Sequence, residues 1–419
     1  MKIEQLHKLY SEHFLVDTDT RKIRKNTIFF ALKGENFNGN KFALESLKIG
    51  AKKAIVDEKE YANNPNIILV DNVLQTFQEL ANYHRKQLKI PIIALTGSNG
   101  KTTTKELINA VLSQKFKTTA TFGNLNNHIG VPLTLLSMDK NTEIGIVEMG
   151  ANHTKEIAFL SNIAEPDFGY ITNFGKAHLE GFGSLQGVIN AKSELYQYLL
   201  NNNKTVFVNP DDEIQVEKTQ KINRVFFNTD EIQFLEVNPF VKLQFKNTPI
   251  QSNLIGKYND PNITAAITIG HYFKVHDEAI KKAIENYFPQ NNRSQIIQNK
   301  ENKIILDAYN ANPTSMEVAL ESFAFVKANS KTVILGDMFE LGKNSLQEHQ
   351  TIADLAFKLN FDAVYFVGEN FYQIKAKSHQ FKTFDDLKNF LITNPPKEQT
   401  ILIKGSRGMS LERLLEVIP

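Results

Sequence analysis

A short glycine-rich stretch carries the clearest chemical signal in the sequence. Residues 96–102 read TGSNGKT, after an apolar run at 91–95 and before residues with a helical pattern. A strand, a tight glycine turn and a helix N-terminus form a cradle in which backbone N–H groups and the helix dipole bind an anion. Lys101 is expected to reach the β- and γ-phosphates of a nucleotide, and the Thr102 hydroxyl to bind Mg²⁺. The full motif has glycine at position 95, where this chain has leucine.

Polar side chains follow the strands that come after this motif. An apolar strand over 145–147 ends at Glu148, and a strand over 169–173 leads into a glycine-rich loop with His178. Ligands of open α/β sheets lie at the carboxyl ends of parallel strands. Glu148 is therefore predicted to be an acidic Mg²⁺ partner, whereas His178 is either a metal ligand or an ordinary histidine. The segment 121–132 is rich in asparagine, which suits hydrogen bonds to sugar hydroxyls or phosphates.

Several other segments have an ordinary structural explanation beside a functional one. Lys192 lies on a helix predicted over 187–200, and a helical lysine is usually solvated. The loop at 256–262 contains asparagines that could contact an adenine or cap the following helix. Near the N-terminus, the loops at 19–21 and 34–39 could hold a polar ligand or could be solvated turns.

Length and periodicity predict three α/β domains. A chain of 419 residues is too long for one typical core. Residues 1–88 read as a small α/β domain. Residues 89–290 place the glycine-rich motif in a central domain with a parallel sheet, and residues 291–419 alternate apolar strands with helices, as in a Rossmann-like, doubly wound sheet.

Composition argues against several classes of partner. The net charge is +2 with no basic block, so neither nucleic acid nor a membrane surface is expected as a partner. The absence of cysteine excludes disulfides and thiol catalysis and fits a reducing compartment. No apolar run is long enough to span a membrane, and the N-terminus is amphipathic, unlike a signal peptide. A cytoplasmic monomer is expected.

Three motifs at strand ends of the third domain are expected to face the glycine-rich motif. They read DAYNANP at 307–313, GDMFELG at 336–342 and KGSRG at 404–408. Together with the motif at 96–102, the asparagine-rich loop and the strand-end Glu and His, they make the chain resemble the Mur ligases, the ATP-dependent amide-forming enzymes of peptidoglycan precursor synthesis. Within that family, the three motifs look like those of the branch that adds D-alanyl-D-alanine to UDP-N-acetylmuramoyl-tripeptide.

The resemblance implies roles for individual residues. ATP would be bound by Gly97, Ser98, Asn99, Gly100, Lys101, Thr102, Thr103, Asn259, Asn262, Arg293 and Asp307. Two Mg²⁺ ions would be served by Thr102, Glu148, His178 and a carbamylated Lys192. UDP-N-acetylmuramoyl-tripeptide and D-alanyl-D-alanine would contact Thr20, Arg21, Asn124, Asn126, Asn127, Tyr309, Asn310 and Asn312. The catalytic set would be Lys101, Glu148, His178 and Lys192.

The chemistry of amide formation explains why ATP is needed. A carboxylate is a poor electrophile, and its phosphorylation gives an acyl phosphate that the incoming amine attacks. That amine, with a pKa of about 8, needs a base, for which His349 is only a guess. The alternatives are a Mur ligase that adds diaminopimelate or lysine, an enzyme like folylpolyglutamate synthetase, and a non-catalytic ATP-binding scaffold. The segment at 309–313 argues against the first two, and the paired metal candidates argue against the scaffold.

Overall fold

The chain forms three α/β domains, as the fold class predicted from the sequence requires. A computed structural model describes residues 1–290, 292–376 and 378–419. We name the domains N-terminal, central and C-terminal, after the parallel sheet on which each is built. The boundaries predicted at 88/89 and 290/291 remain predictions. Among the helices of the described ranges, none has both the length and the apolar character needed to cross a membrane.

The N-terminal domain is a four-stranded parallel sheet with helices around it, in the order β1-β2-β5-β6. The strands of this sheet are β1 (Val16–Asp17), β2 (Ile28–Phe30), β5 (Lys53–Val56) and β6 (Ile67–Leu69). A separate antiparallel pair consists of β3 (Lys33–Gly34) and β4 (Phe37–Asn38). Its helices are α1 (Ile3–Tyr10), α2 (Ala43–Ile49) and α3 (Val73–Leu88). Helix α3 begins where the Asn72 side chain accepts a hydrogen bond from the Gln75 N–H at 2.8 Å.

The central domain is a six-stranded parallel sheet in the order β12-β11-β10-β7-β9-β8. Its strands are β7 (Ile92–Thr96), β8 (Thr118–Ala120), β9 (Ile144–Glu148), β10 (Phe168–Ile171), β11 (Thr205–Val208) and β12 (Asn223–Phe226). Its first helices are α4 (Lys101–Leu112), α5 (Gly130–Leu135), α6 (Glu156–Ala164), α7 (Leu179–Phe182), α8 (Leu185–Lys192), α9 (Glu194–Asn201) and α10 (Glu213–Lys218). Helix α3 packs against both α5 and α6, which seats the N-terminal domain on the central one.

Two features of the central domain differ from the prediction. The helix expected over 187–200 is wrong as a single helix, because α8 ends at Lys192 and α9 begins at Glu194. An antiparallel sheet that was not predicted follows, with strands β13 (Ile232–Val237), β14 (Phe240–Phe245) and β15 (Thr248–Ile255). Helices α11 (Asp260–Tyr272) and α12 (Asp277–Glu285) complete the domain.

The C-terminal domain is a second six-stranded sheet, in the order β16-β17-β21-β18-β19-β20. Strand β16 is antiparallel to β17, and the other neighbours are parallel. The strands are β16 (Gln295–Asn299), β17 (Asn302–Asp307), β18 (Lys331–Gly336), β19 (Ala363–Val367), β20 (His379–Phe381) and β21 (Thr400–Lys404). Its helices are α13 (Pro313–Ala324), α14 (Ser345–Lys358) and α15 (Phe384–Thr393).

The central and C-terminal domains contact each other directly beside the carboxyl ends of their sheets. The Lys176 N–H donates to the Thr314 hydroxyl at 3.0 Å. The Lys176 ammonium also pairs with Glu348 at 2.8 Å. These bonds hold the strand ends of the two sheets on opposite sides of one cleft.

Candidate active site

The two domains frame a cleft of about 1090 Å³ that is open to solvent. Most of the residues singled out from the sequence line it, namely Ser98, Asn99, Gly100, Lys101, Thr102, Thr103, Asn124, Asn126, Asn127, Glu148, His178, Asn259, Asn262, Arg293, Asp307, Tyr309 and Asn310. Five others are not among its lining residues, namely Thr20, Arg21, Gly97, Lys192 and Asn312. The fold therefore brings strand ends of both domains to one place, with groups that suit phosphate and metal.

The glycine-rich turn between β7 and α4 has the geometry of an anion cradle. Gly97 and Gly100 have φ of +145° and +79°, which favours glycine. A Cβ on Gly97 would also come within 1.9 Å of the Thr172 hydroxyl oxygen. The first helical hydrogen bond of α4 runs from the Thr104 N–H to the Gly100 carbonyl oxygen. The N–H groups of residues 101–103 therefore take no part in the hydrogen bonds of the helix. The first N–H groups of a helix are left available for an anion.

Lys101 lies within this cradle. Its ammonium donates to the carbonyl oxygens of Gly97 at 2.8 Å and Ser98 at 3.1 Å. Burial lowers the pKa of Lys101 to about 8, although the nearby Glu148 carboxylate opposes that shift. A bound phosphate would compete for this ammonium with two neutral carbonyls, and the charged acceptor forms the stronger hydrogen bond.

Thr102 and Glu148 form a pair of oxygen donors at the floor of the cleft. The Thr102 hydroxyl lies 2.9 Å from Glu148, which is 1% exposed and also accepts from the Asn126 amide at 2.8 Å. Hydroxyl and carboxylate oxygens are ligands that Mg²⁺ prefers. Within the described ranges, no group of three or more His, Asp or Glu side chains could by itself hold a metal. The pair therefore fits an ion that takes its remaining ligands from phosphate and water.

Lys105 is a charged neighbour of this pair that the sequence analysis missed. Its ammonium lies 3.9 Å from Glu148 and 3.2 Å from the Gly123 carbonyl oxygen. Burial lowers the pKa of Lys105. Residues four apart share a helix face. The position of Lys105 one turn after Lys101 could therefore have indicated that it also faces the cleft.

Lys192 is buried beside the cleft, whereas a solvated helical lysine is the common case. It is 1% exposed, and its ammonium donates to the Ala151 carbonyl oxygen at 3.2 Å. Burial, reinforced by the charge of Lys101, lowers the pKa of Lys192 to about 7. The nearby Glu194 instead caps α6, accepting from the Lys155 and Ala158 N–H groups at 2.6 and 3.0 Å.

His178 faces a carboxylate of the other domain. Its imidazole makes an ion-pair contact with Glu340, and this contact lowers the pKa of the Glu340 carboxyl. The Glu180 N–H donates to the Glu340 carbonyl oxygen at 3.1 Å. The predicted metal ligand thus lies in the cleft wall and also joins the central and C-terminal domains.

Asn259 and Asn262 form a chain of hydrogen bonds to the helix of the phosphate cradle. The Thr104 hydroxyl donates to the side-chain Oδ1 of Asn262 at 2.9 Å, and the Asn262 side-chain amide donates to Oδ1 of Asn259 at 2.8 Å. Asn259 in turn donates to the Ile255 carbonyl oxygen at 2.8 Å. These side chains brace the cradle, and the adenine contact expected of them remains a prediction.

The C-terminal domain contributes charged and aromatic groups to the opposite wall. The Lys404 ammonium lies 2.5 Å from Asp307, which also accepts from the Ser294 N–H at 3.1 Å. The Arg293 guanidinium lies 3.6 Å from the centre of the Tyr309 ring. Lys404 belongs to a motif noted in the sequence, but its pairing with Asp307 became evident only in the fold.

Three of the residues predicted to contact substrate are not among the residues that line this cleft. The Asn312 side chain caps α13 and donates to Asn99 at 2.8 Å, so it bridges two domains and is not a residue of the cleft wall. Arg21 pairs with Asp19 and its side chain is 84% exposed on the N-terminal domain. Thr20 begins the same short helical turn.

The guess that His349 is the base for the amine is wrong. The side chain is fully buried, with 0% exposure. Its Nδ1 donates to the Ser345 carbonyl oxygen at 2.7 Å, and its Nε2 accepts from the Met338 N–H at 3.0 Å. Because both ring nitrogens are occupied, this imidazole cannot take a proton from an amine in the cleft.

Sequence comparison places these features in a known family. The family model of the Mur ligase middle domain matches residues 95–270, and that of the Mur ligase, glutamate ligase domain matches residues 292–407. The chain belongs to the Mur ligase family. A relative from Bacillus subtilis (strain 168), UDP-N-acetylmuramoyl-tripeptide–D-alanyl-D-alanine ligase, is 34% identical over 96% of this Mur ligase chain and 92% of its own.

Solved structures of Mur ligases have the same architecture. MurF from Acinetobacter baumannii superposes with a TM-score of 0.84 at 32% identity, covering 96% of this chain and 92% of that one. MurF ligase from Thermotoga maritima in complex with ADP superposes with a TM-score of 0.83 at 27% identity, covering 96% of both chains. The three-domain arrangement of this Mur ligase is therefore that of solved relatives along nearly the whole chain.

Proposed function

We propose that this Mur ligase joins D-alanyl-D-alanine to UDP-N-acetylmuramoyl-tripeptide at the expense of ATP, in peptidoglycan precursor synthesis. One observation carries the proposal: a phosphate cradle with an adjacent Thr102–Glu148 oxygen pair faces the strand ends of the C-terminal domain across one cleft. The named relatives, similar along nearly the whole chain, support the choice of substrates. The cytoplasmic location and the monomeric state expected from the sequence remain predictions.

The residues of the cleft would divide the work of phosphoryl transfer. ATP supplies the phosphoryl group that turns a carboxylate into an acyl phosphate, and Mg²⁺ neutralises the charge that moves with it. Thr102 and Glu148 would hold the ion through oxygen, and Lys101 would bind phosphate oxygens. Arg293, whose charge contributes to the lowered pKa of Lys101, would approach the same phosphates from the C-terminal domain.

We also propose that Lys192 is carbamylated in the active enzyme. Its burial and lowered pKa leave a large neutral fraction near pH 7. The neutral amine attacks the carbon of CO₂, a C–N bond forms, and a proton is released to give a carbamate. Lys101 and the divalent ions would repel an ammonium group on Lys192. A carbamate on Lys192 instead offers two oxygens of the kind that Mg²⁺ prefers.

Phosphate release tests the function. The protein is mixed with ATP, Mg²⁺ and UDP-N-acetylmuramoyl-tripeptide, and release is followed after adding D-alanyl-D-alanine, lysine, diaminopimelate or glutamate. Of these four amines, only D-alanyl-D-alanine is expected to give sustained phosphate release. Release with one of the other amines would favour a different ligase, and no release with any amine would favour an ATP-binding scaffold.

A further inference from the structure

Two guanidinium groups lie close to the same aromatic ring at the cleft. The Tyr309 ring, which lines the cleft, has Arg293 at 3.6 Å and Arg407 at 5.4 Å from its centre. An arginine near an aromatic ring is partly oriented by it and keeps its N–H groups for another partner. The ring therefore has two cations beside it, of which Arg293 lines the cleft and Arg407 lies outside the lining residues.

The two arginines are placed for different partners. Arg293 lies close enough to the phosphate cradle for its charge to act on both Lys101 and Lys105. Arg407 lies on the loop that follows β21, whose last residue is Lys404. The Lys404 charge is already balanced by Asp307 at 2.5 Å. Arg407 is thus the remaining cation of this loop.

Arg407 has no carboxylate partner in the part of the chain that the structure describes. There, the arginines with ion pairs are Arg21, Arg24 and Arg85. The Arg407 guanidinium is exposed and lies 5.4 Å from the centre of the Tyr309 ring. A guanidinium held by an aromatic ring beside a substrate cleft is suited to a carboxylate that arrives with the substrate, because the two form paired hydrogen bonds.

We infer that Arg407 binds the terminal carboxylate of the amine substrate and makes the enzyme specific for a dipeptide acid. This inference rests on the proposed function. A dipeptide spans at most about 7 Å, at roughly 3.3–3.6 Å per residue, so its carboxylate can be bound at a point separate from the attacking nitrogen. The phosphate cradle surrounds the reacting end, and Arg407 receives the other end. Tyr309 orients the guanidinium and acts as a positioning residue.

A pair of substrates and a pair of variants test the assignment. D-alanyl-D-alanine is compared with D-alanyl-D-alaninamide, which has the same amine and no carboxylate. Arg407→Gln is compared with Arg413→Gln, because Arg413 also lies over a ring, that of Phe384 at 3.8 Å, and this ring, unlike that of Tyr309, does not line the cleft. Phosphate release is measured at saturating ATP and UDP-N-acetylmuramoyl-tripeptide, and the KM for ATP is measured separately.

Arg407→Gln is expected to lose activity only with the dipeptide that has a carboxylate. Wild type should prefer the acid over the amide by roughly 10- to 100-fold in kcat/KM, as a charge-assisted hydrogen bond predicts. Arg407→Gln should lose this preference through a higher KM for the acid, with the amide reaction and the KM for ATP unchanged, and Arg413→Gln should behave as wild type. Equal losses on acid and amide, or no preference in wild type, would overturn the assignment. Wild type that is inactive with both dipeptides would overturn the proposed function itself.

Discussion

Acidification is expected to weaken the junction between the N-terminal and central domains through His84. This side chain of α3 is 1% exposed and its Nε2 lies 2.8 Å from the Met138 carbonyl oxygen. A carbonyl only accepts, so Nε2 carries the proton, and Nδ1 accepts from His7 at 3.1 Å. Burial lowers the pKa of His84 from 6.5 to about 4, and the nearby His7 adds to this shift.

The size of the effect follows from the two pKa values. Between pH 6.5 and pH 4 the unfolded chain binds a proton at His84 that the folded protein does not, so stability falls as the pH falls. The full loss is about 3.4 kcal/mol below pH 4, at about 1.4 kcal/mol per pKa unit. From pH 7.5 to pH 5, the loss is about 2 kcal/mol.

Urea unfolding at several pH values measures this loss. His84→Gln removes the titration, while its amide can donate to the Met138 carbonyl and accept from His7. Between pH 7.5 and pH 5 the wild type should lose about 2 kcal/mol more than this variant in the free energy of unfolding, as followed by circular dichroism. His13→Gln, at an exposed position, should lose as much as wild type. Equal losses in wild type and His84→Gln would refute the reasoning.

Three further perturbations test the proposed site. Lys192→Ala should nearly abolish turnover, and acetate or formate should restore part of it by supplying carboxylate oxygens; full activity of this variant in CO₂-depleted buffer would exclude the carbamate. Lys101→Ala should abolish ligation without changing the affinity for the UDP-substrate measured by calorimetry, because that substrate is expected to bind mainly outside the phosphate cradle. Loss of both ligation and UDP-substrate affinity would contradict separate sites for ATP and the UDP-substrate. Glu348→Gln removes the pair with Lys176, worth about 0–1 kcal/mol at a partly exposed site. Its ligand-free radius of gyration in small-angle scattering should exceed that of wild type, and an ATP analogue with UDP-substrate should remove the difference. Equal ligand-free values would show that this ion pair does not hold the two domains together.

The phosphate cradle could be predicted from the sequence because it is a local structure. A strand, a turn with two glycines and a helix follow one another within residues 91–112. The backbone angles of the turn depend on the glycines themselves. The strand-end positions of Glu148 and His178 were predictable for a related reason, since parallel strands bring their carboxyl ends to one edge.

Other parts of the fold were not predicted. The antiparallel sheet over 232–255 was overlooked, although β14 alternates buried and half-buried positions, a pattern that indicates a strand. The division between α8 and α9 at Ser193 leaves no break in the helical pattern. Such features depend on packing against the rest of the domain.

Only the tertiary structure decided what the polar side chains contact. Asn312 was expected to contact a substrate, and the fold also bonds its amide to Asn99, 213 positions away. His349 appeared free to act as a base, but the first residue of α14 and the loop after β18 occupy both of its nitrogens. Lys105 was passed over, yet the fold places it beside Glu148. Residue type and spacing determine which chemistry a side chain can perform, whereas its partners depend on which distant segments the folded chain packs around it.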